Sequence, residues 1–381
     1  MNTYLLTGGA GFIGSHLLEK LLKHKNRVFV IDNFNDFYDY KIKVRNIIDA
    51  LYSVFSPDNY KGTEKEKIEE IFSNMEIIYS RMSSGFSQNI GKENLLKLFI
   101  QEAGNISQNF GIYFIDIRDK NSLDSIFSEN KIDIVIHLAA MAGVRPSFED
   151  PLLYEEVNIK GTLNILETMR KYNLKRFICA SSSSVYGDNP KLPFSEKDVI
   201  KHTLSPYAYT KKSCEELGRL YWKHFGINTI MLRFFTVFGP RQRPDLAIHK
   251  FLDLMTSGKK IPFFGDGSSG RDYTYIEDIV SGIIKSTEYI KNSSNCYEIF
   301  NLGNSNVISL KEMVETLKDV SGNEPKLELM DFQPGDMPVT YADISKAQSL
   351  LGYAPETSFK EGIEKFNKWY KERNHNFQRI K

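Results

Sequence analysis

Cysteine is scarce in this chain of 381 residues. The three cysteines stand singly, at Cys179, Cys214 and Cys296. A disulfide framework needs an even number of cysteines, and a zinc site needs short spacings between its cysteine or histidine ligands. The sequence therefore predicts no disulfide and no bound metal, and it favours a reducing compartment, the cytoplasm.

The chain also lacks an excess of charge of either sign, and it lacks long apolar runs. Its 49 basic and 48 acidic side chains leave a formal net charge of +1, and no basic stretch is interleaved with aromatic residues. This distribution argues against a surface for nucleic acid or membranes. No run approaches the roughly 20 apolar residues of a membrane-spanning helix, and no basic leader with an apolar segment opens the chain. We expect a soluble protein that is not secreted.

Short apolar runs alternate with helical patterns through the first half of the chain. Helical spacing of apolar residues is clearest at 15–23, 152–172 and 206–225. Strand alternating with helix predicts an α/β protein with a parallel sheet and helices on both faces, the doubly wound fold of the Rossmann type. The predicted strands lie at residues 4–7, 27–32, 112–115, 132–140, 176–181 and 229–235.

The pattern changes after Phe235, because glycine and proline then divide the chain into shorter elements. We predict one domain over residues 1–235 and a smaller mixed α/β domain over 236–381. The segment at about 276–302 is expected to return to the first domain.

One segment, at about 49–109, is longer than a doubly wound domain requires between two strands. Apolar residues recur in it at helical spacing, first over 68–78 and again over 95–100. This pattern predicts an inserted helical hairpin. The hairpin is either a surface addition, or a subunit contact or lid over the substrate.

A glycine-rich loop follows the first predicted strand and opens a helix. It contains Gly8, Gly11 and Gly14, with Phe12 and Ile13 between the last two. Such glycines allow a tight turn, a close approach of backbone to a pyrophosphate and close packing of the helix, whose N-terminus offers N–H donors. The loop therefore predicts a dinucleotide site.

Asp32 ends the second predicted strand about twenty residues beyond the loop, with Asn33 beside it. A carboxylate at this place accepts hydrogen bonds from a ribose 2′-hydroxyl and repels a 2′-phosphate, which predicts NAD rather than NADP. Asp116, next to Ile117 at the end of the third strand, either reaches the adenine or caps the following helix.

Small residues close the fourth predicted strand. Leu138, Ala139 and Ala140 would let a cofactor lie close to the backbone. We interpret His137, which precedes them, as a packed strand residue and not as a catalyst.

Tyr207 stands four positions before Lys211 in a stretch without glycine that is typical of the start of a helix. This spacing stacks the two side chains on one helical face. A lysine ammonium beside a phenol favours the phenolate, which is a usable general base. A serine run, Ser181 to Ser184, ends a strand upstream. The pattern predicts a proton-transfer site, and the alternative is a chance pair on a solvated face.

Together these motifs resemble the extended short-chain dehydrogenase/reductase family of nucleotide-sugar epimerases and dehydratases, over nearly the whole chain except the insert. Four further segments look most like the UDP-glucuronate 4-epimerases of that family, at residues 141–147, 234–240, 243–247 and 333–340. The resemblance implies tightly bound NAD, a UDP-sugar substrate and C4 epimerisation through a 4-keto sugar. It also implies a homodimer formed through helices that begin near Pro151 and Pro206, with an NAD-binding first domain and a nucleotide-sugar-binding second domain.

The resemblance implies roles for single residues near the predicted base. Tyr207, assisted by Lys211, would exchange a proton with the sugar O4, and the hydroxyl of Ser182 would bridge that oxygen and the tyrosine. Ser183 and Ser184 would contact the substrate. They stand where the family's dehydratases carry an Asp-Glu pair and its decarboxylases a Glu, which disfavours elimination and decarboxylation.

A uronate carboxylate must be held in place, because a carboxylate β to the C4 ketone can leave as carbon dioxide. Arg243 and Thr236 match the family positions that bind it, and a guanidinium fork suits that task. The alternative for Arg243 is a surface ion pair with Asp245.

Three further residues match substrate-binding positions of the family, namely Arg145, Arg271 and Asp336. Arg271 is the candidate for the diphosphate. Its alternative is a structural salt bridge to Asp272 or Asp278.

Two other functions remain as alternatives. A UDP-glucose or UDP-N-acetylglucosamine 4-epimerase would present Arg243 to a neutral group and not to a carboxylate. A catalytically silent NAD-binding scaffold would dock a partner through the insert, but it has no need of the proton relay that Ser182, Tyr207 and Lys211 imply.

Overall fold

The structure, a computed structural model, describes residues 1–83, 91–331 and 337–379. Its strands form a large sheet, a sheet of three strands and a separate pair. In chain order the described strands are β1 (Thr3–Thr7), β2 (Arg27–Asp32), β3 (Phe110–Phe114), β4 (Ile134–His137), β5 (Arg176–Ser182), β6 (Asn228–Phe234), β7 (Thr236–Phe238), β8 (Lys260–Phe264), β9 (Gly270–Tyr275), β10 (Tyr297–Leu302), β11 (Val307–Ser309) and β12 (Lys326–Met330).

Helices occupy most of the segments between the strands. The described helices are α1 (Phe12–Lys23), α2 (Tyr40–Phe55), α3 (Gly62–Ser83), α4 (Lys92–Gly104), α5 (Lys120–Glu129), α6 (Pro146–Glu149), α7 (Pro151–Tyr154), α8 (Gly161–Lys171), α9 (Pro206–Phe225), α10 (Ala247–Thr256), α11 (Ile276–Lys291), α12 (Leu310–Ser321), α13 (Ser345–Leu351) and α14 (Phe359–Arg379). Short 3-10 turns lie at Pro57–Asn59 and Ser183–Tyr186, and a π-helical segment spans Glu155–Lys160.

The large sheet has the strand order β10-β6-β5-β4-β1-β2-β3. Its strands run parallel. The order 3-2-1-4-5-6 within it is that of a Rossmann fold, so the predicted doubly wound architecture is confirmed. β4 and β6 are buried along their whole length, as strands covered on both faces must be.

The chain divides into two compact units. The first unit comprises Met1–Ala140, Glu156–Cys179 and Leu220–Asn228. The second unit comprises Met141–Glu155, Ala180–Arg219 and Thr229–Lys381. The segment at 276–302 belongs to the second unit and contains α11 and β10, and β10 pairs in parallel with β6.

The inserted segment of the first unit is helical, as predicted. α3 packs against α4, and residues 84–90 between them lie outside the described part of the chain. Asp49, the predicted start of the insert, lies inside α2, where it pairs with Arg45 at 2.7 Å. Arg45 also pairs with Glu76 of α3 at 2.8 Å, and α4 packs against β3. The insert is therefore packed into the first unit.

The second unit contains the smaller sheets. β9 pairs in antiparallel with β11 and in parallel with β7, and β8 pairs in parallel with β12. This mixture of directions confirms the predicted mixed α/β character of the C-terminal part. Phe238 packs in this unit against the rings of Tyr273, Tyr275 and Phe359.

The packing of α4 predicts that the insert contributes to the stability of the first unit. Leu96 is fully buried, whereas Leu98 of the same helix is 42% exposed. Leu96→Ala should lower the free energy of unfolding by about 2–5 kcal/mol, the usual result of a cavity in a core. Leu98→Ala is the matched control and should cost less than about 1 kcal/mol. Urea unfolding followed by circular dichroism measures both; equal effects would contradict a structural role for α4.

Candidate active site

The glycine-rich loop of the first unit joins β1 to α1. A Cβ atom at Gly14 would lie 2.7 Å from the Cα of Gly9 and closer still to the carbonyl oxygen of Gly8, so α1 packs here only with glycine. Among the described residues, a Cβ at Gly11 would meet only that same oxygen within 4 Å, at 3.2 Å. Space is therefore open beside the Cα of Gly11, whose N–H donates to the carbonyl oxygen of Gly8 at 3.1 Å.

The N-terminus of α1 continues this cradle. The helix begins directly after Gly11, and its first turn carries no acidic residue. Phe12 is buried and Ile13 is half-buried. Unpaired N–H groups at a helix start suit the pyrophosphate of a dinucleotide, so the residues present fit such a cofactor.

Asp32 connects the end of β2 to the glycine-rich loop. Its buried carboxylate accepts hydrogen bonds from the backbone N–H groups of Ala10 (3.2 Å) and Phe34 (2.9 Å), and Nζ of Lys43 lies 3.9 Å from it. A carboxylate has roughly four acceptor positions, so it keeps capacity for a ribose hydroxyl. The geometry suits the predicted contact.

Asn33 and Asp116 form a second polar pair in this unit. Nδ2 of Asn33 donates to Asp116 at 2.9 Å, and Arg118 donates to the same carboxylate from its backbone N–H, Nε and Nη2. Burial opposes ionisation, but these bonds and the charge of Arg118 hold the pKa of Asp116 below its ordinary value. The alternative that Asp116 caps α5 is wrong. Asp119 accepts the backbone N–H groups at the start of that helix, and the carboxylate of Asp116 is bonded to Arg118.

His137 is a structural residue, as interpreted from the sequence. Its ring lies between the hydroxyls of Thr7 (2.7 Å) and Thr162 (3.0 Å) and is buried. The hydroxyl of Thr7 also accepts the N–H of Ala139 at 3.2 Å. The remaining predicted neighbours of the cofactor are half-buried Leu138 and Ala140, which follow β4, and buried Ile117, whose side chain leaves no room for a Cβ at Gly161.

The candidate catalytic residues lie together in the second unit. Tyr207 and Lys211 occupy successive turns of α9, as the spacing predicts. Nζ of buried Lys211 donates to the carbonyl oxygen of Ala180 in β5 at 2.9 Å. Ser182 ends β5, and its hydroxyl accepts hydrogen bonds from the N–H (3.2 Å) and the hydroxyl (3.0 Å) of Ser184. Lys211 therefore contacts the strand two residues before the serine.

Tyr154 lies beside the candidate base and was not singled out from the sequence. Its ring meets that of Tyr207 edge to face, with 6.2 Å between centroids, and its hydroxyl donates to the carbonyl oxygen of Ala142 at 3.0 Å. Burial raises the pKa of Tyr154 to about 12, and Tyr207 adds to that rise while Arg243 opposes it. Arg243 therefore acts electrostatically on the group that touches the candidate base.

Arg243 forms an ion pair with Asp245, the alternative considered for it from the sequence. Nε and Nη2 of Arg243 lie 3.0 and 2.7 Å from the two carboxylate oxygens. The side chain of Arg243 is 16% exposed and that of Asp245 is 43% exposed. Because the carboxylate is half in solvent, the pair holds the guanidinium only weakly. Thr236, the other candidate for a substrate carboxylate, begins β7 and is half-buried.

The salt bridge considered for Arg271 is wrong. Nη1 of Arg271 donates to the carbonyl oxygens of Gly270 (2.9 Å) and Pro338 (3.4 Å), and it pairs with no carboxylate among the described residues. Asp272 and Asp278 instead accept backbone N–H groups, because they are buried among loops whose donors need acceptors.

The other two predicted substrate contacts are Arg145 and Asp336. The guanidinium of Arg145 lies 5.2 Å from the ring centroid of Phe264, a cation–π contact. Asp336 lies outside the described residues.

A buried ion pair near the candidate catalytic residues was missed from the sequence. Glu215 and Arg233 are 0% and 2% exposed, and two hydrogen bonds of 2.8 Å join them. Two signals pointed to it. Glu215 follows Lys211 by the same four residues that separate Lys211 from Tyr207, and Arg233 is the one charged residue in the apolar run 229–235.

Asp272 is a second polar residue that sequence reasoning did not assign correctly. Its carboxylate accepts the backbone N–H groups of Asn304 (2.7 Å), Ser305 (3.0 Å) and Ala342 (3.1 Å). It therefore ties β9 to the segments that follow β10 and precede α13. Arg271 precedes Asp272 in β9, so these bonds also fix the backbone at Arg271.

The described residues set limits on other kinds of site. They contain no cluster of three or more His, Cys, Asp or Glu side chains that could hold a metal ion. None of the described helices has the length and hydropathy needed to span a membrane.

The fold and the two groups of residues define a dinucleotide-binding protein of the short-chain dehydrogenase/reductase type. Comparison of the sequence with known families agrees, because the model of the NAD dependent epimerase/dehydratase family matches residues 4–303. The chain belongs to this family.

Three similar proteins have named activities. A UDP-glucuronate 4-epimerase of Thermodesulfobacterium geofontis is 39% identical over 374 residues, which is 98% of this chain and 97% of that protein. A crystal structure of UDP-glucuronic acid 4-epimerase from Bacillus cereus, in complex with UDP-glucuronic acid and NAD, is 32% identical with a TM-score of 0.77 and covers 97% of this chain and 99% of its own. A UDP-glucose 4-epimerase of Thermotoga maritima with UDP-glucose is 28% identical with a TM-score of 0.75, over 98% of this chain and 99% of its own.

The burial of Asp272 predicts a pH dependence of stability. Burial raises the pKa of Asp272 from 3.8 to about 6, against the N–H groups of Asn304, Ala342 and Ser305, which lower it. The folded state therefore holds this proton more tightly than the unfolded state, so the contribution to stability is present below about pH 4 and is lost as the pH rises to about 6.

Relative to Asp272→Asn, the wild type should lose on the order of 2–3 kcal/mol of unfolding free energy between pH 4 and pH 6.5. Urea unfolding of both proteins at several pH values measures the difference. A difference that stays constant over this range would contradict the raised pKa.

Proposed function

We propose that the protein is a nucleotide-sugar 4-epimerase that interconverts UDP-glucuronate and UDP-galacturonate with tightly bound NAD. The observation that carries the proposal is the likeness along the whole chain to proteins named UDP-glucuronate 4-epimerase, one of them bound to UDP-glucuronic acid and NAD. The side chains that such a reaction needs lie on α9 and at the end of β5, two elements of the second unit that the bond from Lys211 to Ala180 joins.

Tyr207 is the proposed proton carrier of the reaction. Its phenolate takes the proton of the sugar O4 and returns it after the sugar has turned over in the site. Lys211 favours the phenolate through its positive charge, and its bond to the carbonyl of Ala180 orients the ammonium. Ser182 holds the sugar O4 through its hydroxyl, which Ser184 orients. Ser183 and Ser184 contact the substrate.

Bound NAD supplies the redox chemistry, accepting a hydride from C4 and returning it to the opposite face of the ring. We propose that Gly8, Gly11 and Gly14 hold its pyrophosphate with the N-terminus of α1. Asp32 accepts from the ribose, with Asn33 and Asp116 nearer the adenine. The wall beside them is formed by Phe12, Ile13, Ile117, Leu138, Ala139 and Ala140.

Arg243 and Thr236 are proposed to hold the sugar carboxylate, which keeps it out of alignment with the C4 carbonyl and so prevents loss of carbon dioxide. The exposed partner Asp245 can give way to a substrate carboxylate at small cost. Arg271, Arg145 and Asp336 are the proposed contacts of the UDP moiety.

A second candidate is a 4-epimerase of a neutral UDP-sugar. The bidentate pair between Arg243 and Asp245 favours it, because that guanidinium is already satisfied without a substrate carboxylate. Incubating the purified protein with UDP-glucuronate, UDP-glucose or UDP-N-acetylglucosamine and separating the products by chromatography decides between the two. Conversion of none of these sugars would leave the catalytically silent scaffold.

We also propose a homodimer formed through α7 and α9. Leu152 and Tyr209 on these helices are 72% and 54% exposed, and apolar surface of this kind favours association. Sedimentation velocity tests the proposal. The cytoplasm is the proposed location, since the three buried cysteines are thiols and not disulfides.

The role of Tyr207 predicts the behaviour of Tyr207→Phe. This variant should turn over at least about a hundredfold more slowly, the loss expected for a positioned acid/base, while NAD remains bound. Turnover and the NAD released by denaturation are the measurements. Tyr52→Phe, on α2 of the first unit, also removes one tyrosine hydroxyl, from a ring that is 49% exposed, and should behave as wild type. Near-normal turnover of Tyr207→Phe would remove this residue from the mechanism.

The role of Arg243 predicts a loss that depends on the substrate. Arg243→Ala removes a charge-assisted fork of roughly 1.5–3 kcal/mol, so binding of UDP-glucuronate should weaken by about ten- to a hundredfold and that of UDP-glucose far less. A fraction of turnovers should end in a decarboxylated UDP-pentose. Product ratios and catalytic efficiencies on both sugars are the measurements.

Asp245→Asn is the control for this experiment, because it removes the ion pair and keeps the guanidinium. It should retain its preference for UDP-glucuronate. If both variants lose catalytic efficiency on both sugars to the same extent, Arg243 only stabilises its own loop and the uronate assignment is wrong.

A further inference from the structure

Glu215 lies two helical turns beyond Tyr207 on α9 and is fully buried. One carboxylate oxygen accepts hydrogen bonds from the hydroxyl of Ser181 at 2.7 Å and from Nε of Arg233 at 2.8 Å. The other accepts from Nη2 of Arg233 at 2.8 Å and lies 3.3 Å from Nζ of Lys212. The proposed mechanism assigns no role to the carboxylate of Glu215.

The contacts of Glu215 run parallel to those of Lys211. Lys211 holds the carbonyl of Ala180, and Glu215, one turn further along the same helix face, holds the hydroxyl of the next residue, Ser181. Ser182, the proposed catalytic serine, follows at once. Two consecutive residues of β5 are thus bonded to two successive turns of α9, which fixes the strand end against the helix that carries Tyr207.

Arg233, the other member of the ion pair, contacts the last residue of the turn Ser183–Tyr186, called the serine turn below. The guanidinium of Arg233 lies 4.7 Å from the ring centroid of Tyr186, the last residue of the turn Ser183–Tyr186. The hydroxyl of Tyr186 donates to Oδ1 of Asn301 at 2.7 Å. One buried ion pair therefore contacts the residues on both sides of Ser182–Ser184 in the chain, through Ser181 before them and Tyr186 after them.

Glu215 does not exchange protons near neutrality. Burial opposes its ionisation, but the hydrogen bonds and the charge of Arg233 keep the pKa of Glu215 below its ordinary value. The pKa of Arg233 is raised by the same partner against the effect of burial. The carboxylate stays charged and can serve only as a fixed acceptor.

We propose that Glu215, acting through the hydroxyl of Ser181, is a positioning residue that sets the placement of Ser182 relative to Tyr207 and Lys211. The inference rests on the proposed function. Ser181→Ala is its cleanest test, because it removes the bond between strand and helix and leaves the ion pair of Glu215 with Arg233 intact. Glu215→Gln would leave Arg233 buried without a counter-charge and would risk the fold.

In Ser181→Ala, kcat should fall about tenfold, because small displacements of reacting groups slow a positioned proton transfer. KM and the amount of bound NAD should stay within about twofold of wild type, since no proposed substrate or cofactor contact is removed. Ser181→Thr retains the hydroxyl and should recover most of the lost kcat.

Ser286→Ala is the control for loss of a buried serine. Ser286 is fully buried and donates to the carbonyl of Gly282 within α11, far along the chain from these residues. It should lose stability without loss of kcat. An unchanged kcat in Ser181→Ala, or a loss that Ser286→Ala reproduces, overturns the inference, and so does a loss that Ser181→Thr does not recover.

The ratio of kcat in Ser181→Ala to kcat in wild type is measured on whichever UDP-sugar the wild type epimerises. Failure of the wild type on UDP-glucuronate thus rejects the proposed substrate, whereas a ratio near one rejects the positioning role. If the wild type epimerises no UDP-sugar, both are rejected.

Discussion

The ion pair between Glu215 and Arg233 is the interaction on which the second unit depends around its candidate catalytic residues. Taking either partner away leaves a buried charge without compensation, a loss of about 3–5 kcal/mol. The pair joins α9 to β6, and through Ser181 and Tyr186 it reaches β5 and the serine turn. Asp272 does the same for the loops beside Arg271 by accepting three backbone N–H groups. Two buried carboxylates thus hold the segments that carry the candidate substrate contacts.

Two arginines of this unit show how burial changes what an ion pair can do. Arg233 and its partner are both excluded from solvent, so neither can change partner without an unpaired charge in the interior. Arg243 forms a pair of similar geometry, but Asp245 is 43% exposed and water can replace it. The first pair suits a framework that never moves. The second suits the role proposed for Arg243, in which the guanidinium accepts a substrate carboxylate and releases it in each turnover.

The first unit relies on close backbone packing where the second relies on buried charge. Gly14 lets α1 lie directly on the loop after β1, and Asp32 ties that loop to the end of β2 through the N–H of Ala10. The insert adds to this packing, since α3 joins α2 through Arg45 and α4 lies against β3. The loop proposed to hold the cofactor is therefore fixed by one close approach of backbone to backbone, at Gly14, and by one carboxylate, that of Asp32.

The sequence by itself determined what depends on neighbours along the chain. The six strands of the first half, the glycine-rich loop and the helix turn from Tyr207 to Lys211 follow from patterns over a few residues, and all three are present. The fourth strand is shorter than predicted, because it ends at His137 and not at Ala140. The tertiary structure decided which distant groups meet. Asp116 pairs with Arg118 and not with a helix N-terminus, and Arg271 binds carbonyl oxygens. Glu215 and Arg233 are 18 residues apart and become partners only when α9 packs on the sheet, because the strength of a charge pair depends on distance and burial in three dimensions.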